Sequence, residues 1–151
     1  MSVAELARSG PFSKFEGVER WLAVLAGAGV QLDLGMAPAT AYKLTPDATP
    51  LCFAGESPVD CTLIDGAAQA FNLMLRRGSA QGRMLRVSGN YSICLNAFKN
   101  IAVYAISTGV IVYFDDECLA LPPNTLAWRD CPAGSKLKVH AGQALWMEIT
   151  S

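Results

Sequence analysis

Arg20 is the residue whose type and position best suit binding chemistry. It opens the apolar run Arg20-Trp-Leu-Ala-Val-Leu25. On an extended chain, alternation puts its side chain on the same face as Leu22 and Val24. If that face lines a β cavity, the guanidinium sits at the cavity mouth. Desolvating such a cation without an anionic partner costs about several kcal/mol. A carboxylate ligand would supply bidentate, charge-assisted hydrogen bonds. These contribute roughly 1.5–3 kcal/mol each. Two of them support a dissociation constant in the millimolar to high micromolar range, about −4 to −6 kcal/mol. The competing reading is a structural salt bridge from Arg20 to Glu16, Glu19 or Glu56. Asn72 and Met74 share a strand face in the same way. The Asn72 amide offers donor and acceptor together and suits an amide or formyl group; the alternative is a buried Asn capping a sheet end.

Other chemistries find few groups. A cupin-type metal site needs two or three histidines and a carboxylate around one ion. The chain has a single histidine, His140, so no metal or other cofactor is expected. Asp115-Asp116-Glu117, the densest acidic cluster, follows a strand and reads as a solvated hairpin end. The five cysteines (Cys52, Cys61, Cys94, Cys118, Cys131) contain no CxxC spacing, and read as reduced, mostly buried thiols. No nucleophile–base pattern or G-x-S-x-G motif is present, so no catalytic residue is assigned. Gly27-x-Gly29 lacks the third glycine of a dinucleotide loop.

These side chains must be positioned by strands. Thirteen glycines and eight prolines are spread through the 151 residues, and no long segment keeps a helical apolar period. Short apolar runs bounded by turn residues predict strands over 18–25, 30–34, 51–53, 59–64, 70–75, 84–87, 101–106, 110–114, 125–129, 137–140 and 145–149. Gly27-Ala28-Gly29 and Ser107-Thr108-Gly109 read as hairpin turns. The stretch Leu22–Val30 can be laid on Ala102–Val110, Leu44-Thr-Pro-Asp47 on Leu121-Pro-Pro-Asn124, and Cys61–Gly66 on Leu137–Gly142. The conserved order of these matches predicts a duplicated β unit, with a break in the Gly-rich stretch 76–82. The fold class is therefore all-β, with two small barrels or sandwiches sharing one body.

Composition narrows the partners. Hydrophobic residues make up 52%, charged residues 17%, and the net charge is −1. That is apolar for a soluble protein and points to a greasy pocket or a buried subunit interface. With no basic block, a nucleic-acid partner is not expected. The most apolar stretch, 101–114, has the length of a buried hairpin, so no membrane partner is expected. The N-terminus has no secretory-signal pattern, and the expected location is cytoplasmic.

Three stretches resemble the HutD/Ves family. Gly10-Pro-Phe-Ser-Lys-Phe-Glu-Gly-Val-Glu-Arg20 is similar to its GPFSxFxGxxR motif, Phe53-Ala-Gly-Glu56 to its F-x-G-[DE] turn, and Ala70-Phe-Asn-Leu-Met-Leu-Arg-Arg77 to its D-F-N-x-M-x-R segment. The resemblance implies a two-cupin, RmlC-like jelly-roll fold, with cupin-like subdomains over residues 1–78 and 79–151. It also implies a link to bacterial histidine utilisation and regulatory, non-catalytic binding of a formylglutamate- or urocanate-like carboxylate. On that basis Arg20, Asn72, Met74, Phe53, Glu56 and Phe15 are the expected ligand-binding residues. Two departures stand out. Family members usually carry a further lead segment ahead of the counterpart of Met1–Leu6, so either it was lost, which would leave a sheet edge open and favour a homodimer, or the start codon is called late; and Ala70 stands where the family often has an acid. The alternatives are a metal-free cupin isomerase or epimerase using His140, Glu56 or Tyr42, and a ligand-free structural or interaction protein.

Overall fold

The computed structural model describes residues 1–35 and 41–151. It is all-β, and no helix occurs among the described residues. The chain divides into two compact units, Met1–Ser79 and Ala80–Ser151.

The first unit holds β1 (Ser2–Leu6), β2 (Gly10–Pro11), β3 (Val18–Ala26), β4 (Val30–Asp33), β5 (Ala41–Leu44), β6 (Leu51–Ala54), β7 (Asp60–Leu63) and β8 (Ala68–Arg76). They form two antiparallel sheets, ordered β1-β8-β3-β6 and β2-β7-β4-β5. Alternation is clearest in β4, where Val30 and Leu32 are fully buried while Gln31 and Asp33 are exposed. The inward residues of both sheets, including Leu22, Val24, Leu32, Phe53, Cys61 and Ala70, form one apolar core. Burying a side chain of that size contributes roughly 1.5–3 kcal/mol.

The second unit holds β9 (Gln81–Cys94), β10 (Lys99–Ala105), β11 (Val110–Phe114), β12 (Glu117–Leu121), β13 (Leu126–Cys131) and β14 (Lys136–Thr150). Its sheet runs β12-β11-β14-β10-β13, with β9 along the other edge of β14. β14 pairs β11 through its first half and β10 through its second, with an irregularity between Ala141 and Ala144. Every pairing of the first unit has a counterpart here. β3 lies between β6 and β8 as β10 lies between β13 and the second half of β14, and β4 lies between β5 and β7 as β11 lies between β12 and its first half. β1 and β2 pair β8 and β7 as the two halves of β9 pair β14.

Several details differ from the sequence reading. The Gly27-Ala28-Gly29 turn does not close a hairpin: β3 and β4 belong to different sheets, and the turn carries the chain between them. Gly27 and Gly29 both have positive φ, and a Cβ at either would collide with a carbonyl oxygen, of Ala67 or Leu44. Ser107-Thr108-Gly109 likewise links two strands, β10 and β11, that each pair with β14. The runs 137–140 and 145–149 are one continuous strand, and 84–87 is the middle of a strand reaching from Gln81 to Cys94. β2, β5 and β12 were not among the predicted strands, although β12 carries the short apolar run Cys118–Leu121.

Candidate functional site

Arg20 lies on the inward face of β3 with Leu22 and Val24, opposite Phe53 of β6 and Met74 of β8. It is 7% exposed. Its Nε–H and Nη2–H both donate to Asn72 Oδ1, at 3.0 and 2.7 Å. Asn72 is inward-facing on β8, 3% exposed, and stands opposite Leu22. The guanidinium carbon is 4.4 Å from the Phe12 ring centroid and 5.5 Å from that of Phe53. Each aromatic face attracts the cation by about 0.5–2 kcal/mol.

Among the described residues no carboxylate pairs with Arg20, and residues 36–40 include no acidic side chain. The cation is thus buried against a neutral amide and two rings. Burial draws the Arg20 pKa below its ordinary value, partly offset by Cys61, and the same burial pushes the Cys61 thiol up. An arginine stays charged at neutral pH regardless. The arrangement is a desolvated, charged donor with incomplete compensation, which favours an added anion.

The geometry is held by convergence of three segments far apart in sequence. The Phe15 N–H donates to Gly55 O at 2.9 Å, Gly55 N–H to Val18 O at 2.7 Å, and Phe12 N–H to Val59 O at 2.8 Å. A Cβ on Gly55 would lie 2.7 Å from Phe15 O and 3.0 Å from Val18 O, so only glycine lets the Phe53-Ala-Gly-Glu56 turn approach this closely. The Arg77 N–H donates to Gly17 O at 2.9 Å, and the Arg77 guanidinium pairs with Glu56. That pair, reinforced by a backbone hydrogen bond, holds the Glu56 carboxyl below the usual range.

The structure therefore brings Arg20, Asn72, Phe53 and Met74 together. Glu56 is engaged by Arg77 and not by Arg20, and its Oε2 is buried without a hydrogen-bond partner. Phe15 is 38% exposed and contributes its backbone to the turn contact. Phe12, absent from the expected ligand-binding residues, faces the guanidinium; its place in the Gly10-Pro-Phe segment leading to Arg20 was the available signal. Phe12 also borders a cleft of about 650 Å³ lined by residues 5–12.

The remaining candidates are structurally occupied. His140 is exposed, with Nδ1 2.8 Å from Asn90 Oδ1. Asp115 has φ 54° at the β11–β12 turn and accepts from the Lys136 N–H at 2.6 Å. Glu117 pairs with Arg129 at 2.8 Å. Among the described residues no three His, Cys, Asp or Glu side chains are grouped to hold a metal ion, and no helix is long and apolar enough to cross a membrane.

Residues 1–147 match a family model described as HutD. An uncharacterised 21.2 kDa protein of the hutC 3′ region in Pseudomonas putida is 34% identical over 113 residues, which is 74% of this chain and 57% of that protein. The chain thus spans little more than half the length of that relative. Protein Ves of Citrobacter koseri is 31% identical over 99% of this chain and 74% of its own. The structure of HutD from Pseudomonas fluorescens SBW25, in a formate condition, superimposes with a TM-score of 0.81 at 29% identity, covering 98% of this chain and 76% of that one. A salicylate 1,2-dioxygenase of Pseudoaminobacter salicylatoxidans shares the fold alone, with a TM-score of 0.57 at 8% identity over 97% of this chain and 69% of that one.

Proposed function

Since the chain belongs to the HutD family, which is linked to histidine utilisation, we propose that it binds a small carboxylate metabolite of that process in its first unit and acts without turnover. The fold is all-β and cupin-like, and we read the two units as cupin-type barrels in tandem, in a cytoplasmic protein. The observation that carries the binding reading is the buried Arg20 guanidinium, held by Asn72 and faced by Phe12 and Phe53, with no acid among the described residues to neutralise it.

A carboxylate would meet the guanidinium fork and gain charge-assisted bonds in a desolvated setting. Asn72 fixes the fork by accepting from Nε and Nη2, which leaves Nδ2 of its amide to donate to the ligand. Met74 and Phe53 supply apolar walls, and Phe12, whose ring faces the guanidinium, also lines the neighbouring cleft. The regulatory role follows from binding alone: sequestration or a population shift needs only different affinities for two states.

A thermal-shift screen with formylglutamate, urocanate, formate and glutamate tests the reading on wild type and Arg20→Ala. One carboxylate should raise the wild-type melting temperature and leave the variant unmoved. Equal shifts in both proteins would remove Arg20 from the site.

A further inference from the structure

The second unit carries its own cleft, of about 250 Å³, lined by Gln81, Gly82, Arg83, Lys99, Glu148 and Thr150. These residues come from three neighbouring strands. Glu148 stands opposite Arg83 and Thr150 opposite Gln81 in the β9–β14 register, while Glu148 is also opposite Ile101 of β10, two residues beyond Lys99. Glu148 shares the face of β14 that carries Trp146 into the core, so the cleft opens at the inward end of this unit.

Glu148 is a carboxylate only 6% exposed. Its Oε1 accepts from Trp146 Nε1 at 3.2 Å and its Oε2 from Lys99 Nζ at 2.5 Å. Replacing such a pair by apolar side chains is often neutral or stabilising, so stability alone gives little reason for its presence. It does hold the Lys99 ammonium, only 22% exposed, at a fixed point of the cleft. Arg83 is exposed across the β9–β14 pair, and among the described residues it has no ion-pair partner. Two cations against one carboxylate leave the cleft with a net charge of +1, matched by a monoanion. A dianion would carry excess charge onto Glu148. Gln81 and Thr150 add an amide and a hydroxyl at the rim.

We propose that this cleft is a second binding site, for the carboxylate group of a small monoanion, with Arg83 as the anchoring fork, Lys99 as the fixed positive point and Glu148 as the residue that positions Lys99. The volume suits a small molecule rather than a drug-sized one. The site is independent of Arg20 and stands or falls separately from it.

Amide NMR spectra of the whole chain, titrated with sodium acetate at constant ionic strength, test the site. Saturable shifts in the millimolar range should appear on residues 81–83, 99 and 148–150. They should persist in Arg20→Met and weaken by about tenfold in Arg83→Gln, whose position is exposed enough to leave folding intact. Lys99→Met should abolish them, and Lys99→Arg should restore them in part. Shifts that fail to saturate, that sodium chloride reproduces, or that are equal in wild type and Arg83→Gln would overturn the proposal. Tighter binding of inorganic phosphate than of acetate would overturn the monocarboxylate assignment.

Discussion

The two units use one set of strand pairings to enclose different interiors. In the first, the inward positions of the central pair are Arg20, Leu22 and Val24 on β3, facing Met74, Asn72 and Ala70 on β8. In the second they are Ile101, Val103 and Ala105 on β10, facing Glu148, Trp146 and Ala144 on β14. The place of Arg20 is taken by Ile101, and that of Asn72 by a fully buried Trp146 packed edge-on against Tyr91 at 5.3 Å. Where the first unit buries a cation beside a neutral amide, the second fills the same level with an indole. It moves its buried charge to Glu148, neutralised by Lys99. One scaffold thus yields one interior closed by packing and one left electrostatically unfinished. The first interior gains from an anion beside its buried cation; the second gains only from better packing, and its charge lies in the Arg83–Lys99–Glu148 cleft at the strand ends.

Substitutions that exchange these characters test the contrast. The largest effect should come from Trp146→Ala, which empties the second interior and should cost about 3–5 kcal/mol in chemical denaturation. Asn72→Leu removes the hydrogen-bond acceptor that holds the buried Arg20 cation among the described residues and should cost about 3 kcal/mol. Arg20→Met leaves only a neutral amide unpaired, so the loss should be about 1–2 kcal/mol. Combining the two should recover most of it, bringing Arg20→Met/Asn72→Leu within about 1 kcal/mol of wild type or above it. A double variant as unstable as the sum of the singles would show that the polar pair stabilises the fold, and would erase the distinction between the units.

The smallest effect concerns pH. The Glu56 carboxyl is held below its ordinary value by Arg77, so the folded chain binds the proton less readily than the unfolded chain. The stabilisation is complete above the unfolded glutamate value, roughly 4.3, and is lost as pH falls through the folded one. Arg77→Gln should flatten that acid limb of the stability profile. An unchanged limb would detach Glu56 from Arg77 in solution.

Much of the first interior was legible because strand alternation fixes faces. Arg20, Leu22 and Val24 had to lie together once 20–25 was extended, and Val30 and Leu32 likewise. What alternation does not carry is pairing. The Arg20–Asn72 contact spans 52 residues, and no local pattern names its partner. For the same reason the glycine turn after β3 reads as a hairpin although its flanking strands pair elsewhere. The internal repeat shows a second limit. Laying Leu22 on Ala102 follows the turn glycines, yet the sheet registers match Leu22 with Val103. The irregularity between Val24 and Ala26 absorbs the extra residue, and a one-residue slip reverses every face. β9 was cut short and β14 divided because Ser88-Gly89-Asn90 and Ala141-Gly142-Gln143 interrupt their apolar runs, although the backbone ladder continues past them.

The most direct test is calorimetric titration of formylglutamate into wild type and into Arg20→Met, with both proteins first shown to be folded. Wild type should show saturable binding to its first unit in the millimolar to high micromolar range, and the variant at least a tenfold loss. Equal affinity in the two proteins would contradict that expectation, because the buried guanidinium would then have no part in holding the anion.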